Sequence, residues 1–326
     1  MGGIGGPLRA VVGTLHPVRH RLLPWVLVAA FVGVLLPRST SALNPLVPVF
    51  LAGQVLGVAL NLTPFEVRAA GRQLPLIGAA LLCQWTLLPA FGLALHLLAP
   101  TPVLAAGILI CSIAPAEITS GLMATLAGGD TAIATACMAG SLALSVALTP
   151  LWLEVGLGAR AHFDAMSLTF ELVLSVLLPL VVGVSVRAVL PGLARWRHQF
   201  LDLSAFCLVL VVLAGTASAR QVLLSSSILV ALGLVIGLLC WGGVVGFGLG
   251  RVLRLPHRRA AAVGFPIGIR EFGVAIAVSV AVRPGASAVG GVYGIVMVAV
   301  AGTLASHLGR RRERMLKGDR GSGGQQ

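Results

Sequence analysis

Apolar residues in this chain do not recur with the 3.6- or 2-residue period of a half-buried helix or strand. They run on almost without interruption, in ten stretches at about 22–36, 43–62, 74–95, 103–128, 131–150, 168–187, 200–217, 228–249, 260–282 and 286–306. A helix needs roughly 20 apolar residues to span the hydrocarbon core of a bilayer. Barrel strands would be about ten residues long with alternating polarity, which these stretches are not. The pattern predicts an all-α integral membrane protein of ten transmembrane helices. The short first stretch opens near Pro24, a residue tolerated in a first helical turn. Five segments follow: an N-terminal segment 1–21, five helices over 22–150, a connecting loop 151–167, five helices over 168–306, and a basic tail 307–326.

Composition narrows the class. Of 326 residues, 57% are hydrophobic and 10% charged, against about 25% charged in soluble domains. A soluble enzyme, a disordered chain and a nucleic-acid binder are excluded, the last despite a net charge of +13, because the basic residues sit at loop ends and in the tail. With the N-terminus inside, inner segments hold 18 of the 23 basic residues and outer loops hold only Arg38, Arg160, Arg220 and Arg283. The positive-inside rule then places both termini in the cytoplasm of a multi-pass protein of the plasma (inner) membrane. Arg19 to Ala42 also has the form of a signal peptide, but its removal would leave nine spans. The basic tail reads as a topogenic anchor for anionic lipid. All five cysteines fall inside spans without CxxC spacing, which predicts buried reduced thiols. The seven histidines lie at span ends or in loops. No metal site and no cofactor are expected.

Ten spans divide into two fives, and an odd number per half makes the halves antiparallel, an inverted repeat. The fourth span of each half carries breakers and charges. Span four holds Pro115 and Glu117; span nine holds Pro266, Gly268, Arg270 and Glu271. A lone proline usually means a kink, and the series Gly233, Gly237, Gly242, Gly246, Gly250 reads as close helix packing. Charges beside the breaks change that reading, since a charge inside a bilayer is costly and usually marks function. Glu117 and Glu271 are the deepest acids, and Arg270 is the one basic residue inside a span. Interrupted backbone at that depth survives only in protein or at a water-filled cavity.

At these residues the sequence resembles the bile acid:sodium symporter family. Span four carries Pro115-Ala116-Glu117-Ile118-Thr119-Ser120-Gly121-Leu122-Met123, then Leu126-Ala127-Gly128-Gly129-Asp130; span three keeps Gln84 and Pro89; span nine reads Pro266-Ile267-Gly268-Ile269-Arg270-Glu271-Phe272-Gly273. The EFGVAIAVSVA stretch is also similar to the arsenite exporters of the same superfamily, whose cysteine-bearing span-four signature is not reproduced, since Cys111 falls too early. The resemblance implies a panel of spans 1, 2, 6 and 7 and a core of spans 3–5 and 8–10. Spans four and nine would cross at the midplane, and core would rock against panel to carry an organic anion. It also exposes departures. Oxygen-bearing residues of the family's sodium sites fall on Gly121, Ala134, Met138, Pro266 and Arg270, leaving Ser120 and Gln84.

The candidate site for substrate or coupling ion therefore comprises Gln84, Pro115, Glu117, Thr119, Ser120, Pro266, Gly268, Arg270 and Glu271. In this reading Arg270 acts as a fixed cation in place of sodium and receives a substrate carboxylate. Glu117 and Glu271 approach it, and one of these carboxyl groups loads a proton. Half-helix N-termini add positive potential for an anion. Both Arg270 and Glu271 reach the cavity only if their segment is unwound. The function expected is secondary transport of a small organic anion, proton-linked; a sodium-dependent symporter and an arsenite-exporter-like permease are the nearest alternatives. An embedded enzyme finds no HExxH, GxSxG or phosphate loop. A channel would show conductance and no counterflow.

Overall fold

The computed structural model describes residues 22–62, 71, 73–158 and 163–322; the expected N-terminal segment 1–21 lies outside them. The described residues are helical, with no strand beyond one isolated bridge. In chain order the helices are α1 Leu22–Leu35, the short α2 Pro37–Ser41, α3 Val47–Ala59, α4 Leu74–Leu98, α5 Pro102–Ile113, α6 Ser120–Leu126 and α7 Thr131–Leu157. Then come α8 Ala165–Leu172, a π turn Val173–Leu177, α9 Leu178–Val189, α10 Arg197–Leu223, α11 Ser227–Val252, α12 His257–Gly268, α13 Phe272–Val282 and α14 Ser287–Ser322.

Seven described helical stretches are long and apolar enough to cross a membrane. Three of the ten expected spans miss that length for physical reasons. The first is a short apolar helix, and spans four and nine are each cut in two, as α5–α6 and α12–α13. Large apolar side chains such as Phe31, Leu97 and Met166 face outward, the reverse of a protein folded in water and the expected surface for lipid.

The helices pack in two groups. α10 packs on α1 and α3, and α3 on α9; α4, α5, α6, α7, α11, α12, α13 and α14 form the larger group, and α10 bridges to α13 and α14. Glycine sets the closest approach within the larger group. A Cβ on Gly242 would collide with the Gly268 carbonyl, and one on Gly246 with the Gly264 carbonyl. Gly250 meets Ala260 in the same way, whereas Gly233 and Gly237 face open space. The packing reading of that series thus holds for its second half, where α11 clamps α12 just before the break. Cys111, Cys137 and Cys207 are buried, but Cys83 is half-buried and Cys240 exposed, so burial does not extend to all five thiols; spans in lipid have an apolar outside on which a thiol can sit.

Candidate functional site

The two interruptions meet. α5 ends at Ile113 and α12 at Gly268, and the extended residues that follow pair antiparallel through Ala116 and Arg270. The Glu117 N–H donates to the Ile269 carbonyl at 3.0 Å and the Glu271 N–H to the Pro115 carbonyl at 2.9 Å. Each break thus satisfies the other's backbone, as a dry interior requires. Pro115 lies in its break. Pro266 lies inside the last turn of α12, so the chain unwinds three residues later, at Ile269–Glu271.

Extended backbone sends successive side chains to opposite faces, and the charged trio divides accordingly. Arg270 turns inward to the larger helix group and is 1% exposed. Its guanidinium donates to the carbonyls of Ala114 (3.3 Å), Pro266 (2.9 Å) and Ile267. The Gln84 amide completes the ring, with its oxygen turned to accept from Arg270 Nη1 at 2.7 Å and from the Ala116 N–H at 3.2 Å. Ser141 supports this ring, taking the Ala116 N–H at 2.8 Å and touching the Gln84 amide. The Arg270 N–H donates to the hydroxyl of Tyr293, the single tyrosine, at 2.9 Å. Four oxygens, three of them from the C-terminal ends of α5 and α12, surround one guanidinium.

Glu271 points the other way. Its Oε1 accepts from Gln54 Nε2 on α3 (2.9 Å) and from the Gly273 N–H (3.1 Å), and its Oε2 from the Ile118 N–H (3.0 Å). Glu117 lies beside it, with the two carboxyl groups close enough to interact. The Thr119 hydroxyl donates to Glu117 Oε1 at 3.3 Å. Among the described residues, no ion pair joins Arg270 to either acid. The expected three-residue cluster is therefore two clusters back to back. The half-helix N-termini are not open to a foreign anion either, because Glu271 caps α13 and the two acids take the N–H groups leading into α6.

A cavity of about 550 Å³ lies against the acid face, between the two helix groups. Gln54, Glu117 and Thr119 line it at depth; Asn61, Thr131 and Arg197 line it where α3 ends and α7 and α10 begin. Of the expected residues, only Glu117 and Thr119 line this cavity. Arg270 does not, which corrects its expected role as receiver of a substrate carboxylate: extended backbone turns it away. Gln84, Pro266 and Gly268 lie on the guanidinium side, while Ser120 is fully buried with its hydroxyl unpartnered. Gln54, Ser141, Tyr293 and Arg197 were missing from the expected set. Gln54 carried a signal, an amide inside an apolar stretch.

Residues 22–303 match the model of the SBF-like CPA transporter family. The chain belongs to that family. The resemblance to bile acid:sodium symporters is thereby confirmed, and the protein is a multi-pass membrane transporter rather than an enzyme. It is 26% identical to the uncharacterized sodium-dependent transporter YocS of Bacillus subtilis over 262 residues, 79% of this chain and 80% of that one. It is 30% identical over 176 residues to the probable chloroplastic sodium/metabolite cotransporter BASS4 of Arabidopsis thaliana, covering 51% of this chain and 40% of that protein. Within this family's chain, the paired breaks and adjoining cavity form the polar centre of an otherwise apolar bundle.

Proposed function

We propose that the protein is a secondary transporter that carries a small organic anion by alternating access. In this reading ten spans form two inverted five-helix repeats, spans four and nine cross at the midplane, and both termini face the cytoplasm of the plasma (inner) membrane. The cavity then opens on the cytoplasmic side, with Arg197 at its mouth to meet an acidic group. The observation that carries the proposal is the antiparallel contact of two interrupted helices over a cavity that borders both helix groups. Discontinuous helices at a repeat interface are where transporters hold solute and ion.

Coupling follows from the two faces of the crossing. On one face Arg270 already fills a ring of oxygens of the kind a hard cation uses. A tethered guanidinium neutralises those carbonyls permanently, so sodium is not needed there. On the other face Glu117 and Glu271 lie side by side, Glu271 fully buried and Glu117 at the floor of the cavity. Two carboxylates so placed cannot both stay ionised, so the pair holds one proton. Loading that proton reduces the negative charge at the cavity floor and lets an anion approach; its release on the other side expels the anion. The coupling ion is then a proton, and no cofactor takes part.

Uptake by proteoliposomes tests this, with small carboxylates and sulfonates first screened by thermal shift. Uptake should survive replacement of sodium by choline and fall at least tenfold with a protonophore. Strict sodium dependence would overturn the coupling scheme. Glu117→Gln should abolish proton-driven accumulation while retaining solute exchange. Normal transport by Arg270→Gln would remove the fixed-cation role.

A further inference from the structure

We propose a second binding site, for an anionic phospholipid, on the outside of the larger helix group. A groove of about 570 Å³ lies between the end of α11, the start of α12 and the late part of α14. Phe247, Leu255, Leu304 and Leu308 give it an apolar interior, and Arg251 and Arg254 stand in its wall. Both arginines are exposed, as are Arg258 and Arg259 just beyond. Among the described residues, no acidic residue lines the groove. Arg258 is engaged elsewhere, with Asp130 at 3.3 Å. The outer faces of α11 and α14 beside the groove carry Val244, Val252 and Val300, all exposed, so the groove opens onto lipid in a membrane protein.

Arg254 supplies an independent observation. It is the only non-glycine among the described residues with a left-handed backbone, at φ 49°. It stands where α11 ends in a reversal closed by Leu255 N–H to Gly250 O (2.8 Å) and Arg254 N–H to Arg251 O (3.0 Å). Glycine is the usual occupant of such a position, and a long side chain there is strained. The helix end would be better served without the side chain, so the guanidinium is kept for what it reaches. An apolar trough with two free guanidinia at its lip matches a lipid whose acyl chain lies along Leu304 and Leu308 and whose phosphate meets Arg251 and Arg254. The charge complementarity excludes a zwitterionic lipid as the preferred occupant.

The full-length protein, purified in a neutral detergent, would be titrated with dioleoyl phosphatidylglycerol, with dioleoyl phosphatidylcholine, and with glycerol 3-phosphate as the soluble head group. Phosphatidylglycerol should raise the unfolding midpoint by about 4 °C over phosphatidylcholine, and glycerol 3-phosphate should raise it by much less. Arg251→Gln/Arg254→Gly should abolish the difference while unfolding no lower than the native chain in phosphatidylcholine, since glycine relieves the backbone. Leu308→Trp, which fills the groove without changing charge, should also abolish it. Arg187→Gln, a partly exposed arginine on another helix, should retain it. The proposal fails if the double variant or Leu308→Trp keeps the full phosphatidylglycerol shift. It also fails if Arg187→Gln loses that shift, or if glycerol 3-phosphate reproduces it.

Discussion

At the scale of the residue, the decisive fact is that neighbours in sequence serve opposite faces. Arg270 and Glu271 are adjacent, yet one is held by Gln84 and three carbonyls while the other is held by Gln54 and two backbone N–H groups. Burying a guanidinium is costly unless its donors are answered; here Nη1 and Nη2 are answered and Nε is not, and the helix-end carbonyls of α5 and α12 need donors just as much. Gln84 is the one side chain that completes this exchange. Gln84→Leu removes an acceptor from a buried charge, and hydrogen bonds to charged groups contribute about 1.5–3 kcal/mol. We expect that variant to lose about 2 kcal/mol in denaturant-induced unfolding in detergent, with Gln84→Glu losing less than Leu because an acceptor remains. Equal stability of Leu and native chains would show that the ring is not what holds Arg270. The charged residues themselves were legible in the sequence, because ionisable groups in apolar stretches stand out. Their partition was not: unwinding is expected to bring both Arg270 and Glu271 to the cavity, whereas extended backbone turns them to opposite faces. Ser141 and the Ala114 carbonyl gave no sequence signal, since a serine in a helix and a backbone oxygen are everywhere.

At the scale of the element, the break rather than the proline is what matters. Pro89 and Pro150 sit inside continuous helices, and Pro266 sits inside α12. Proline alone therefore did not locate the unwinding; the charges beside it did. What keeps α12 straight up to Gly268, and lets the chain leave it there, is close packing by α11. Gly242 and Gly246 admit the α12 backbone where any Cβ would strike a carbonyl. Gly246→Val must push α12 away, and overpacking of this kind costs about 1–3 kcal/mol. Because α12 carries Pro266 and Ile267, whose carbonyls hold Arg270, the displacement should reach the crossing. Gly246→Val should reduce transport at least tenfold as well as stability, whereas Gly237→Val, facing open space, should leave both within twofold of native. A Gly246→Val protein with native transport would show that the α11–α12 contact does not position the site.

At the scale of the whole molecule, the cavity and the arginine distribution can be read against each other. The cavity runs from Gln54 and Glu117 to Thr131 and Arg197, and the segments at that end, around Arg187, Arg195, Arg254 and Arg258, are the arginine-rich ones. Helix ends that share this side are held together by Asp130, which caps α7, accepts the Arg258 side chain and donates its N–H to the Arg258 carbonyl at 2.9 Å. This clamp lies within the larger helix group, whereas α3 and α10 form the opposite cavity wall and meet that group through α13 and α14. The orientation and the open side then become a single claim. In a chain with its five cysteines replaced by alanine, Leu122→Cys and Thr125→Cys, both in the cavity lining, should react with a membrane-impermeant maleimide from the cytoplasmic side. From the other face they should react at least tenfold more slowly. A cysteine in place of Leu82, exposed on the outside of α4 near its middle, should be poorly labelled from either side, because a maleimide needs an ionised thiol and lipid does not supply the water. Faster labelling of Leu122→Cys from the outer face would reverse the orientation drawn from the arginines, and equal labelling from both faces would describe a pore, not an alternating carrier.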